Sequence, residues 1–216
     1  MDKYKLVIRG EQPLSGETYV SGGKNTSLAV VPAVLLSDAP CTIENLPDIE
    51  DIHVLYRILR GMGAVIDYNR SEKRMTIDPR GINTCRVPFH YAQLLRASYY
   101  FMGALLGRFG MAEVGYPGGC DIGSRPIDQH IKGFSSLGAE IKDRGGMMQL
   151  QGKLKGSYIN FDMVTVGGTI NVMLAAVKAK GDTVLTNCAR EPHVVDAANF
   201  LNSLGARIKG AGTDTI

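Results

Sequence analysis

The segment "PGGCDIGSRP", residues 117–126, sets Cys120 behind two glycines and five residues ahead of Arg125, after which Pro126 fixes the chain direction. A free thiol titrates near about 8.5, and neighbouring cations lower that value. Such a cysteine can act as a nucleophile or, when protonated, as a general acid. A second candidate is "SGGKNTSL", Ser21 to Leu28, where Lys24 and Asn25 follow two glycines at a predicted helix start. Backbone N–H groups, the positive end of a helix dipole and an ammonium would share one small volume there, suited to a phosphate or carboxylate. A solvated lysine on a surface loop is the alternative. Ser-x-x-Lys matches by letter, but that motif needs a helical turn that Gly22 and Gly23 oppose. Arg96, in "LLRASYY", falls within an apolar helical pattern, so its guanidinium requires either a distant carboxylate or a ligand.

The remaining cysteines read differently. Cys41 lies in a strand-like run as a small hydrophobe, Cys85 in a polar connection, and Cys188 at a junction that lacks the double glycine. His53, His90, His130 and His193 show no metal-ligand spacing, and neither a phosphate-loop nor a serine-elbow motif is present. Metal and serine-nucleophile chemistry are therefore unsupported.

The elements that must position these residues repeat. "LRGMGAVID", "FSSLGAEIK" and "LNSLGARIK" share an ending whose Gly-Ala pairs begin at Gly63, Gly138 and Gly205, a unit of roughly seventy residues. Each ending follows a proline and an acidic helix start, in "LPDIEDIHVLYRIL", "RPIDQHIKGF" and "EPHVVDAANFL", so three helices are expected, each leading into a strand. Each of those helices is preceded by a second, almost wholly apolar one, in "SLAVVPAVLL", "LLRASYYFMGALLGRFG" and "TINVMLAAVKA". A helix apolar on most faces must be buried on most faces, so inner helices enclosed by outer sheets are expected. Pro32 should either kink the first of them or sit in its first turn. "GMGAV" follows a helix instead of a strand and is not a dinucleotide fingerprint. Between repeats, only the second carries the long glycine-rich loop with Cys120, and loops elaborated on one member of a repeat set tend to carry function.

Composition sets the outer limits. With 216 residues, 44% of them hydrophobic, the chain can bury a core, and a net charge of +3 without any basic run implies no nucleic-acid surface. Four cysteines without Cys-x-x-Cys spacing fit a reducing compartment, and no apolar run reaches about 18 residues. The expectation is a cytoplasmic protein without membrane insertion.

"SGGKNTSL", "LLRASYYFMGALLGRFG", "PGGCDIGSRPIDQHIKGFSSLGAEI", "VTVGGTINVMLAA" and "NCAREPHVVDAANFLNSLGARIKGAGTDTI" together resemble the enolpyruvyl transferase family, in its UDP-N-acetylglucosamine 1-carboxyvinyltransferase branch. The resemblance covers essentially the whole chain, and the cysteine loop is its most specific part. It implies transfer of an enolpyruvyl group from phosphoenolpyruvate to the 3-hydroxyl of UDP-N-acetylglucosamine, with release of phosphate and no cofactor. It also implies an α/β fold, an inside-out α/β barrel lobe of three repeats with buried helices and outer sheets. By this resemblance Cys120 is the general acid, forms the covalent phosphoenolpyruvate adduct and is the residue alkylated by fosfomycin. Lys24 and Asn25 meet phosphoenolpyruvate, Arg125 its phosphate, and Arg96 the nucleotide sugar. Arg125, Pro126, Ile127, Asp128 and Gln129, with Met163, Val164, Thr165, Val166 and Gly167, line the uridine and diphosphate site. Thr165 and Gly168 stand where relatives often have Ser and Ala. The family pairs this lobe with a second that supplies the candidate base and further arginines, so residues 1–21 are expected to belong with that missing lobe and residues 22–216 to form the cysteine-bearing one. Two other readings stay open: an enolpyruvyl transferase with a different acceptor, and a non-catalytic nucleotide-sugar-binding module.

Overall fold

A computed structural model describes residues 5–118 and 126–216. Residues 5–21 form no regular element and are exposed throughout, Val20 at 92%. The first repeat then runs α1 (Lys24–Ala33), β1 (Cys41–Ile43), α2 (Glu50–Gly61), β2 (Val65–Asn69) and β3 (Arg74–Asp78). The second runs β4 (Arg86–Val87), α3 (Phe89–Leu94), α4 (Tyr100–Phe109), β5 (Met111–Gly115), α5 (Asp128–Ser136), β6 (Glu140–Arg144) and β7 (Met147–Gln151). The third runs β8 (Tyr158–Asn160), α6 (Val166–Ala176), β9 (Val184–Thr186) and α7 (Pro192–Ser203).

The apolar helices are the interior. Burial is unbroken from Ser27 to Ala33 in α1, from Tyr100 to Leu106 in α4 and from Gly168 to Ala175 in α6. By contrast α2 and α5 bury one stripe and open on acidic first turns, Glu50 and Asp51 in one and Asp128 in the other, which suits the positive helix end. The shared endings have a backbone cause. Gly63, Gly138 and Gly205 take φ of 106°, 94° and 100°, a conformation that closes a helix and that side chains resist.

Each repeat builds its own sheet, in the orders β1-β3-β2, β4-β5-β7-β6 and β8-β9, and among the described residues the three do not join into one closed barrel. β4 and β8 lie parallel to β5 and β9, with α4 and α6 in the respective crossovers, whereas the hairpins β2–β3 and β6–β7 are antiparallel. In β3 the side chains of Met75 and Ile77 face inward and their neighbours outward, the alternation of a sheet covering a core on one side. Close approach of α4 to α6 depends on Gly103, where a Cβ would fall 2.2 Å from the Asn171 carbonyl oxygen.

Three local expectations change. The second apolar helix is broken, because Leu95 is extended (φ −139°, ψ 115°) and Arg96 opens a 3-10 turn, Arg96–Tyr99, ahead of α4. Pro32 occupies the last turn of α1, not its first, and the helix tightens there into a 3-10 turn, Val34–Leu36. Arg108 closes that end, donating from Nη1 to the carbonyls of Leu35 at 2.5 Å and Ser37 at 2.7 Å. After Gly205 the expected strand is absent. The Asn202 side chain instead takes both backbone groups of Ile208, at 2.7 and 2.9 Å, while Ile216 pairs with Leu185 beside β9. No helix among the described residues is long and apolar enough to cross a membrane.

Candidate functional site

Because the three repeats are alike, their helices start at one end of the molecule, and a cavity of about 620 Å³ opens there. Its walls are Asn25 and Leu28 from α1, and Arg96, Tyr99 and Tyr100 from the turn into α4. Pro126, Asp128, Gln129 and His130 come from the start of α5, and residues 163–167 from the approach to α6. Glu191 and His193, at the start of α7, complete it. Four helices, α1, α5, α6 and α7, begin at this cavity, and the positive dipole ends gathered there favour an anionic ligand.

Hydrogen bonds hold the walls. Thr165 caps α6, its Oγ1 accepting from the Gly168 N–H at 3.2 Å. The buried Gln129 amide joins α5 to the approach to α6: its Oε1 accepts from the Asp162 N–H at 2.9 Å and its Nε2 donates to the Asp162 carboxylate at 3.2 Å. Lys132 adds an ion pair to Asp162 at 2.5 Å, and it, then Gln129, keeps that carboxyl below the usual range. The guanidinium of Arg96 lies over the Tyr99 ring, 5.9 Å from its centroid.

His130 is 4% exposed and meets the Tyr99 ring edge-on at 4.8 Å. Burial, and then the charge of Arg96, lower its pKa to about 4, with Asp128 opposing. It is therefore uncharged at neutral pH.

Ten of the residues singled out in the sequence line this single cavity: Asn25, Arg96, Pro126, Asp128 and Gln129, and the run Met163, Val164, Thr165, Val166 and Gly167. Lys24 is next to it, but its ammonium points to Asp51 in the first turn of α2, at 2.5 Å. Ile127 is the residue before α5, and its side chain packs on the core instead of the cavity. Cys120 and Arg125 lie outside the described residues. Cys41 and Cys188 are buried, and burial pushes the Cys188 thiol up to about 11, which removes it as a reactive alternative.

Sequence reasoning passed over Leu28, Tyr99, Tyr100, His130, Glu191 and His193. The last two carried a usable signal. "EPH" opens α7 as "RPI" leads into α5, so the repeat register alone would bring Glu191 and His193 to the end of the molecule where Pro126 and Asp128 are found.

The family model for EPSP synthase (3-phosphoshikimate 1-carboxyvinyltransferase) matches residues 8–216. UDP-N-acetylglucosamine 1-carboxyvinyltransferase 3 of Caldanaerobacter subterraneus subsp. tengcongensis is 55% identical over 98% of this chain and 51% of its own length. The UDP-N-acetylglucosamine 1-carboxyvinyltransferase of Clostridium botulinum is 54% identical over the same shares. Among solved structures, the enolpyruvyl transferase NikO from Streptomyces tendae superposes with a TM-score of 0.80 at 25% identity, over 95% of this chain and 48% of that one. The chain thus spans about half the length of the curated relatives it matches.

Proposed function

Since the chain belongs to the EPSP synthase (3-phosphoshikimate 1-carboxyvinyltransferase) family, we propose that it carries the cysteine-bearing lobe of an enolpyruvyl transferase that moves the enolpyruvyl group of phosphoenolpyruvate to the 3-hydroxyl of UDP-N-acetylglucosamine. The observation carrying this reading is the single cavity shared by Asn25, Arg96, Asp128, Gln129 and residues 163–167. The acceptor is chosen on the relatives at 54–55% identity, whose names state it, over the EPSP synthase of Acinetobacter baumannii at 20%.

In this mechanism the Cys120 thiol gives its proton to the methylene carbon of phosphoenolpyruvate, and the acceptor oxygen bonds to the adjacent carbon. The hydroxyl proton passes to a base of the second lobe. Loss of phosphate, with a proton from the new methyl group, restores the double bond. Arg125 and Lys24 bind the phosphate and Arg96 the nucleotide sugar, because two anionic substrates must be neutralised before their carbons meet. The Lys24–Asp51 pair is an obstacle of small size. Lys24 is 55% exposed, and exposed ion pairs contribute little.

The lobe is an inside-out α/β barrel of three repeats, a reading supported by helices buried in the middle and one-sided sheets around them. Residues 1–21 go with the second lobe and residues 22–216 form this one, which is supported by the exposure of residues 5–21 and the start of α1 at Lys24. The complete enzyme acts in peptidoglycan precursor synthesis in the cytoplasm.

The test uses the intact two-lobed protein. Phosphate release from phosphoenolpyruvate should require UDP-N-acetylglucosamine, and fosfomycin should leave a covalent adduct on Cys120 in the mass spectrum. An adduct on Cys41 or Cys188 overturns the assignment, and turnover with 3-phosphoshikimate instead of the nucleotide sugar overturns the acceptor.

A further inference from the structure

Asn171 is wholly buried in the middle of α6, and its side chain reaches the start of α4. Its Oδ1 accepts from the Gly103 N–H at 2.9 Å, and its Nδ2 donates to the Tyr99 carbonyl at 2.8 Å. Those two backbone groups are four residues apart, the pair that an α-helix ordinarily joins directly. A backbone N–H can only donate and a carbonyl can only accept, so the helix itself dictates which way round the amide stands. One Nδ2 hydrogen is left, and it meets His130 Nδ1 at 2.9 Å. Nδ1 must then accept. An uncharged imidazole that accepts at Nδ1 carries its proton on Nε2.

That second nitrogen faces the cavity wall. The point where a Cβ on Gly167 would lie is 3.1 Å from His130 Nε2 and 2.9 Å from Tyr99 Oη, so the glycine leaves open the space where imidazole, phenol and the start of α6 converge. With the opposite tautomer a lone pair would face that space and repel a ligand oxygen.

We propose that Asn171 is a positioning residue: it locks His130 in the Nε2–H form, so that the ring donates a hydrogen bond to an oxygen of the nucleotide sugar in the cavity. The donor role rests on the proposed acceptor; the lock does not. Burial of the ring, which keeps it uncharged at pH 7, is consistent with both.

Imidazole nitrogen shifts of the 15N-labelled chain at pH 7 read the tautomer directly. His130 should show an unprotonated Nδ1 and a protonated Nε2. Asn171→Asp keeps the shape and the acceptor for Gly103 but turns a carboxylate oxygen to the ring, and should move the proton to Nδ1. In the same spectra, saturating UDP-N-acetylglucosamine should shift Nε2 of the native chain, and Asn171→Asp should bind it about tenfold more weakly, the scale of one lost hydrogen bond. A protonated Nδ1 in the native chain overturns the lock, whatever the fate of the variant. An Nε2 that stays unmoved at saturation overturns the donor role. Should the isolated chain not bind UDP-N-acetylglucosamine, the same titration is read on the intact two-lobed protein; no binding there overturns the proposed acceptor and the donor role with it, while the tautomer has still been read.

Discussion

Acidification from pH 7 to pH 5 should cost the chain about 2 kcal/mol of stability through His130 alone. In the unfolded chain this imidazole titrates near about 6.5. In the fold, burial among Tyr99, Asn171 and the wall of α6, then the facing charge of Arg96, hold it to about 4 against the pull of Asp128. Between those values the unfolded state binds a proton that the folded state does not. The contribution is therefore whole above the unfolded value and drains away as pH falls toward the folded one of about 4. The complete separation corresponds to about 3 kcal/mol, and about two-thirds of it is gone by pH 5. Urea unfolding at pH 7, 6 and 5 and constant ionic strength, for the native chain and His130→Gln, isolates the effect as a difference of slopes. Glu191 and His193 line the same cavity, and Asp48, Asp78 and Asp162 are held low by their neighbours, but all of these are common to both proteins. Parallel stability–pH curves for the two proteins would refute the reasoning, since the ring would then be free to charge inside the fold.

Arg108→Met keeps the apolar stem but strips the carbonyls of Leu35 and Ser37 of their donor, and should cost about 1.5–3 kcal/mol in chemical unfolding. Gly103→Ala sets a methyl 2.2 Å from the Asn171 carbonyl oxygen, so α4 and α6 must part; a loss of about 1–3 kcal/mol is expected, read as a melting temperature lower by about 2–4 °C per kcal/mol. In the two-lobed protein, Lys24→Ala should weaken phosphoenolpyruvate by about ten- to a hundredfold and UDP-N-acetylglucosamine far less, measured by separate titrations. The present chain alone should melt cooperatively yet release no phosphate from the two substrates.

The repeat was legible because its signals are local and three times repeated. A glycine at a positive φ cannot be replaced cheaply, so Gly63, Gly138 and Gly205 mark the same backbone event wherever it recurs. Unbroken burial is legible for the same reason, since α1 and α6 have no polar face to hide. What escaped is what depends on partners distant in sequence. Nothing in "LLRASYY" announces that Leu95 becomes extended, because that conformation is set by the packing of its buried side chain and not by its neighbours. Asn171 in "TINVML" reads as a polar blemish on an apolar helix. Its partners Tyr99, Gly103 and His130 stand 41 or more residues away, and only the crossing of three helices brings them to it.

The site follows from the same repetition. Three copies of one unit, each passing from an inner helix through a strand to an outer helix, direct equivalent helix starts the same way, so the positive ends accumulate at one end of the fold before any lysine or arginine is counted. The side chains then divide the work. Arg96 supplies full charge beside an aromatic face, whereas Thr165 and Gln129 spend their polar atoms holding backbone in place. A cavity made this way suits an anion through geometry that the core enforces. Substitutions at buried positions such as Asn171 and Gly103 should therefore disturb ligand binding as surely as changes to the residues that touch it.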